Sequence, residues 1–189
     1  MRIGFDLDKI FIDYPPFIPT QTIDWLYRHS PKDLFRKNTN SQLSYHIPKP
    51  GLERLIRRLS HLDFLRPKIT SNAMFLSSLG GHSLYLISSR YKFLENLTLK
   101  ILGKYDLITP FTAIYLNNKD LQPHKFKEQK IKELNLDIYL DDDLRLLKYL
   151  KSKDIKTKLL WYNPKFKGQT KFGIPVLASV SDIRLYLKK

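Results

Sequence analysis

Two short acidic runs stand out because each directly follows an apolar stretch: Asp6-Leu7-Asp8 after Arg2–Phe5, and Asp141-Asp142-Asp143 after Asp137–Leu140. Residues two apart on a strand point to the same face, so Asp6 and Asp8 are expected to project together. Carboxylates so close need a metal, a cation or a shared proton to coexist. Three consecutive acids at a strand end repel one another unless solvent or a cation relieves them. Mg²⁺ suits them, because it prefers hard carboxylate oxygens and keeps waters that a phosphate can replace. Each run also has a plainer reading. An Asp-x-Asp can simply end a strand, and an acidic triplet can open a helix with Asp142 or Asp143 as its N-cap. Two acidic strand ends on one edge of one parallel sheet favour the chemical reading.

Two further residues fit the same chemistry. Ser88, at the end of the apolar run Leu84–Ile87, offers a hydroxyl that can donate to a phosphoryl oxygen; Ser89 is the alternative register, and an ordinary strand-to-helix cap is the plainer role. The stretch Pro123–Glu128 opens a helix ahead of the second acidic run. A lysine there can neutralise charge on a nucleophile and on a transferring group. Lys127 is the favoured residue, with Lys125 as the alternative.

These residues need elements to hold them. Arg2–Phe5, Leu84–Ile87, Ala113–Leu116, Asp137–Leu140 and Lys158–Trp161, with a shorter piece at Val176–Leu177, are nearly continuous apolar runs. Such runs suit strands covered on both faces. Helical spacing of apolar residues lies between them, over Lys127–Leu134 with the residues before it and over Leu144–Leu150, and a core helix is expected over Thr70–Leu79. Alternating strand and helix predict an α/β fold with a doubly wound parallel sheet. The chain from Tyr14 to about Arg66 breaks the pattern. Prolines 15, 16, 19, 48, 50 and 67 bracket helix-leaning segments at Thr22–His29, Pro31–Lys37 and Pro50–Leu65. This predicts a small, mainly helical cap over 15–67, inserted after the first strand into a Rossmann-like core of 1–14 and 68–189.

Composition sets the outer limits. With 189 residues, 42% of them hydrophobic, the chain is long enough for one sizeable core. It has no cysteine, which excludes disulfides and thiolate ligands. Acidic residues close to Met1 do not suit a signal peptide, and no apolar run is long enough to span a bilayer; a cytoplasmic protein without a membrane partner is expected. The formal charge of +15 suits an anionic partner, whether a phosphorylated small molecule or a nucleic acid. The lysines look scattered along the chain, which also fits a merely solvated surface. Oligomeric state is not specified.

Asp-x-Asp after strand one, Ser after strand two, Lys at a helix start and paired aspartates after strand four together resemble, in order and spacing, the four motifs of the haloacid dehalogenase (HAD) superfamily. The first reads Asp6-Leu7-Asp8-Lys9-Ile10, with Ile10 where the family has Thr or Val and Lys9 where many members have glycine. The resemblance covers roughly 1–14 and 68–180, and loosely points to the 5′-nucleotidase-like branch with a helical cap. It implies a Mg²⁺-dependent phosphatase in which Asp6 attacks phosphorus to form an aspartyl-phosphate and Asp8 acts as acid and then base. Asp8 is expected to be held protonated by the crowd of acids. Asp6, Asp141, Asp142 and the backbone carbonyl of Asp8 are implied as metal ligands, with Ser88 and Lys127 on the phosphoryl oxygens; Asp143 has no implied role. In the cap, Trp25, Tyr27, Arg28, Tyr45 and His46 could select substrate, though packing is the simpler role for such aromatics. Two alternatives remain in view: a catalytically degenerate protein that binds an anion such as RNA, and a phosphatase of nucleic-acid ends. A phosphorylation receiver domain fits poorly, because no lone phospho-accepting aspartate stands directly after the middle strand that ends at Leu116, and a glycosyltransferase would need a nucleotide-binding half that this length barely permits.

Overall fold

In the computed structural model, residues 1–19, 22 and 43–187 are described. The apolar runs become seven strands of one sheet: β1 (Arg2–Phe5), β2 (Ser83–Tyr91), β3 (Ala113–Asn117), β4 (Ile138–Asp141), β5 (Lys158–Tyr162), β6 (Thr170–Lys171) and β7 (Ile174–Leu177). Their order is β3-β2-β1-β4-β5-β7-β6. The chain winds outward from β1 through β2 to β3, then returns to β4 on the other side of β1. The carboxyl ends of β1 and β4 therefore flank the point where winding reverses, which is where open α/β sheets leave a crevice for ligands.

All neighbouring pairs are parallel except β6 and β7, which form an antiparallel hairpin. The expectation of a wholly parallel sheet is corrected at this edge. β6 is two exposed residues with no apolar run to announce it. Its turn, Phe172-Gly173, has φ of 54° and 65°, the left-handed pair that a two-residue hairpin turn of matching twist requires.

Helices cover both faces. On one, α2 (Thr70–Leu76), α3 (Glu95–Lys104) and the final 3₁₀ turns Val180–Tyr186 pack with Ile3, Phe5, Leu86 and Leu140. On the other, α4 (Pro123–Glu133) and α5 (Leu144–Lys151) pack with Ile87, Tyr139, Leu159 and Trp161. The doubly wound α/β sheet is thus present. Within 15–67, α1 (Leu52–Leu59) falls in the expected Pro50–Leu65 segment; Thr22–His29 and Pro31–Lys37, with Trp25, Tyr27 and Arg28, lie outside the described residues apart from Thr22. No helix among the described residues is long and apolar enough to cross a membrane.

Gly4 lies at the centre of β1, facing the second layer. A Cβ there would stand 2.4 Å from Leu136 Cδ1 and 2.9 Å from Tyr139 Cδ2. The missing side chain makes room for the Tyr139 ring, whose hydroxyl reaches Asp141. Gly4→Ala is expected to destabilise the fold by about 1–3 kcal/mol, the usual result of forcing a group into a packed core. Urea denaturation checks this, and an unchanged midpoint would show that the Tyr139 ring is free to retreat.

Candidate active site

Asp6 is the first residue after β1, and Asp141 is the last of β4. The strands are in register, Phe5 beside Leu140, and the Asp6 amide donates to the Leu140 carbonyl at 3.0 Å. This fixes the two acids side by side. Between them sits the ammonium of Lys127, on the first half of α4, 2.8 Å from Asp6 Oδ1 and 2.7 Å from Asp141 Oδ2. The Tyr139 hydroxyl donates to the same Asp141 oxygen at 2.7 Å, and the Asp143 amide donates to Asp141 Oδ1 at 2.9 Å. All three of Asp6, Asp141 and Lys127 are buried.

Asp142 turns differently. Its carboxylate meets Lys9 Nζ at 3.2 Å, and its carbonyl accepts from Trp161 Nε1 at 2.9 Å. Lys9 has φ of 59°, the left-handed conformation that glycine adopts more readily. Asp143 caps α5, its Oδ1 accepting from the amides of Arg145 (2.9 Å) and Leu146 (3.4 Å). Its other oxygen accepts from the Tyr45 hydroxyl at 2.7 Å. Of the acidic triplet, Asp143 is therefore the helix cap.

Oxygens of Asp6, Asp141 and Asp142 lie within 4.8 Å of one another. Burial raises the Asp6 carboxyl to about 7; the charges of Asp141 and Asp8 add to the rise and Lys127 opposes it. Asp142 is raised well above the usual range, first by burial and then by Asp141 and Asp6, against the pull of Lys9. Burial would lower the Lys127 ammonium, but Asp141 and Asp6 outweigh it and hold the charge in place. Three hard oxygen donors at this spacing, two of them reluctant to ionise, fit a divalent cation.

Asp8 does not join this group through its side chain. Arg90 grips it with two bonds, Nε to Oδ2 at 3.0 Å and Nη2 to Oδ1 at 2.6 Å, and Arg66 Nη2 contacts Oδ1 as well. Burial alone would raise its pKa; the two guanidiniums prevail and hold the carboxyl well below the usual carboxylate range. The expectation that neighbouring acids keep Asp8 protonated is therefore reversed. The neighbours that count are arginines. Arg66 is fully buried and Arg90 nearly so, and Arg66 also stacks on the Tyr14 ring at 4.8 Å.

Sequence reading passed over Arg90, Arg66, Tyr139 and Lys9. For two of them a signal existed. Ser88 with Arg90, and Tyr139 with Asp141, are spaced two apart on strands, where side chains share a face. Between Ser88 and Tyr91 the β2–β3 register shifts, an irregularity of the kind that re-aims side chains at the ends of strands. Ser88 is 1% exposed, its Oγ 3.5 Å from the Arg90 amide. Ser89 lines the cavity, as do Asp6, Asp8, Lys127, Asp141 and Asp142. Lys125 is exposed, its Nζ over the Tyr149 ring. Tyr45 lines the cavity as well, whereas His46 pairs with Glu53 at 2.7 Å. The cavity holds about 390 Å³.

No protein-family model and no curated protein sequence matches the chain. Solved structures do resemble it along nearly its whole length. A haloacid dehalogenase-like hydrolase from Streptococcus pneumoniae superposes with a TM-score of 0.60 at 13% identity, covering 98% of this chain and 97% of that one. A HAD-superfamily hydrolase of subfamily IA from Geobacter sulfurreducens gives 0.59 at 11% identity, covering 99% and 96%. A HAD phosphatase from Thermococcus onnurineus gives 0.56 at 14% identity, covering 97% and 96%. Strand order, winding and these likenesses together identify the fold of the chain as that of the HAD superfamily.

Proposed function

We propose that the chain is a Mg²⁺-dependent phosphohydrolase that cleaves a phosphate monoester through an aspartyl-phosphate on Asp6, with 15–67 as a cap over a core of 1–14 and 68–189. The observation that carries this reading is the grouping of Asp6, Asp141 and Asp142 within 4.8 Å at the floor of a cavity, with Lys127 bonded to Asp6. Two contacts from the inserted segment support a cap: Tyr45 on Asp143 and Arg66 on Asp8. A nucleotidase-like choice of substrate is consistent with the cavity's tyrosines.

In this mechanism the Asp6 carboxylate forms a bond to phosphorus as the bond to the ester oxygen breaks, so one hard displacement becomes two easier ones. Asp6, Asp141, Asp142 and the backbone carbonyl of Asp8 would hold Mg²⁺, which supplies positive charge to the developing phosphoryl oxygens. Lys127 keeps Asp6 oriented and adds a fixed positive charge beside the transferring group. Ser89, in the later part of β2 and lining the cavity, would offer its hydroxyl to that group, with the buried Ser88 as the alternative register. Asp8 would take up a proton from solvent once Arg90 and Arg66 release its carboxylate, pass that proton to the leaving oxygen, and then accept one from the water that attacks the phosphoryl group.

The same clamp favours a second reading. With Asp8 fixed on two arginines, Asp142 on Lys9, and Asp6 and Asp141 on Lys127, each acid already has its cation. That is the arrangement expected of a catalytically silent protein that binds an anion. Phosphate release from an aryl phosphate, with and without Mg²⁺, separates the two. Turnover that requires both Mg²⁺ and Asp6, and that disappears in Asp6→Asn, is the expected result; turnover retained in Asp6→Asn would remove Asp6 as nucleophile.

The role of Asp8 has its own test. General acid catalysis contributes roughly 10²–10⁴-fold, and it matters most for poor leaving groups. Across a series of aryl phosphates, wild-type rates should depend only weakly on leaving-group pKa, and those of Asp8→Asn steeply. Equal slopes would mean that the clamp never opens.

Burial of Asp6 also predicts a pH effect on stability. Its folded-state pKa, about 7, lies above the ordinary value of 3.8. The fold therefore binds a proton that the unfolded chain has lost, and stability falls as pH rises between those values before levelling above the upper one. Asparagine carries no such proton. Without divalent cations, the Tm advantage of Asp6→Asn over wild type should widen up to about pH 7 and then level, and saturating Mg²⁺ should narrow it by stabilising the wild type. A gap independent of pH would contradict the buried-acid account.

A further inference from the structure

The lysines that look scattered along the sequence are unevenly distributed. From Arg145 to Gly173 the chain carries nine basic residues and one acid, Asp154, so this stretch holds +8 of the total +15. It comprises α5, β5 and the β6–β7 hairpin turn, and all nine of its cations are exposed.

Contacts between them draw a continuous track. Lys148 Nζ lies 4.1 Å above the Phe172 ring, and Lys151 Nζ donates to the carbonyls of Phe172 (2.9 Å) and Gly173 (3.1 Å). The hairpin turn is thereby pinned to α5, and Phe172 is left 58% exposed. One residue earlier, Lys171 Nζ stands 5.3 Å from the Phe166 ring centroid and 5.9 Å from that of Trp161. Trp161 and Arg145 both line the cavity above Asp6. The track thus runs from the cavity mouth, past the buried Trp161 ring and the half-buried Phe166, to the exposed Phe172 ring and the cations of α5.

A ligand for such a surface needs regularly spaced negative charge and flat apolar faces. Single-stranded nucleic acid has both: phosphates follow a basic groove while bases stack on exposed rings. A cavity of about 390 Å³ admits the end of a strand and leaves the rest outside. We propose that this track binds a single-stranded nucleic acid whose terminal phosphate enters the cavity. The inference rests on the phosphohydrolase reading only for the fate of that phosphate.

Fluorescence anisotropy with a labelled, terminally phosphorylated oligonucleotide of about 12 nucleotides tests the track without any turnover. Each phosphate contact on a single strand contributes about −0.7 to the slope of log K against log salt, so about four contacts should give a slope near −3. Lys148→Glu combined with Lys171→Glu should weaken binding at least tenfold and flatten that slope by about 1.4, the share of two contacts. Lys100→Ala with Lys104→Ala, on α3, should bind as wild type does; these two lysines pair with Asp63. A wild-type slope shallower than about −1, equal weakening by the α3 pair, or competition by polyglutamate as strong as by unlabelled oligonucleotide would overturn the proposal. Binding with the expected slope but no Mg²⁺-dependent phosphate release would keep the track and remove the hydrolase. Aryl phosphate turnover without oligonucleotide binding would do the reverse.

Discussion

One buried ammonium governs the arrangement of the site. Lys127 stands between carboxylates at the ends of two adjacent strands, 2.8 Å from Asp6 and 2.7 Å from Asp141, and joins them through one cation. Moving charges out of water is costly, and removing one partner of a buried pair typically costs about 3–5 kcal/mol because the other is stranded. Here a single lysine faces two acids, so its loss would strand both. That fixes more than local geometry. α4 must begin where Lys127 can reach the gap between β1 and β4. β1 must carry glycine at position 4 so that Tyr139 fits underneath and supplies the second donor to Asp141. Helix position, strand composition and acid spacing follow from one electrostatic requirement.

How much of this could be read from the sequence depends on whether a residue's role is local. The strands of the sheet's parallel part were legible because burial on both faces demands continuous apolar runs, and five of the six end within a residue of the expected position, whereas β2 runs on to Tyr91. The grouping of Asp6, Asp141 and Asp142 was legible because two acidic strand ends fall on one edge of one sheet, and the structure brings their oxygens within 4.8 Å of one another. Lys127 was already the favoured lysine in the sequence, and the structure separates the two further: Lys127 is buried between Asp6 and Asp141, and Lys125 is exposed over Tyr149. The partners of Asp8 were not legible. Arg66 lies 58 residues away and Arg90 82 residues away; the spacing of Arg90 from Ser88 could place it on the site's face but did not point to Asp8 as its partner. β6 was missed because two exposed residues have no pattern, and the shifted register after Ser88 hid which serine faces the cavity.

Asp8 shows why type and spacing are not enough to assign a role. Asp6 and Asp8 are the same residue two positions apart, yet their environments drive them in opposite directions. Asp6 is raised to about 7 by burial among other acids, whereas the guanidiniums beside Asp8 keep it ionised. Separated pKa values within one pair of carboxylates are a common arrangement in sites that combine nucleophilic and acid–base work. Here the separation is the inverse of what that division of labour needs, since the nucleophile should be the ionised one. A divalent cation on Asp6, Asp141 and Asp142 would lower Asp6 and restore half of the order. The other half depends on Arg90 and Arg66.

Under the proposed function the site must also attract an anion toward three carboxylates. At short range its own lysines answer this: Lys127 and Lys9 pair with the acids within 3.2 Å, so little negative field escapes. At longer range the basic stretch from Arg145 onward dominates, because it is exposed and almost free of acid. Fields from exposed charges reach about 8 Å at physiological ionic strength before screening removes them, far enough to act at the cavity mouth, where Arg145 stands. An incoming phosphate therefore meets positive charge first and the acids only after it has entered. In the proposed reaction the acidic floor would hold a cation and the basic rim would draw in an anion, so the two charge patterns serve the two halves of one phosphoryl site.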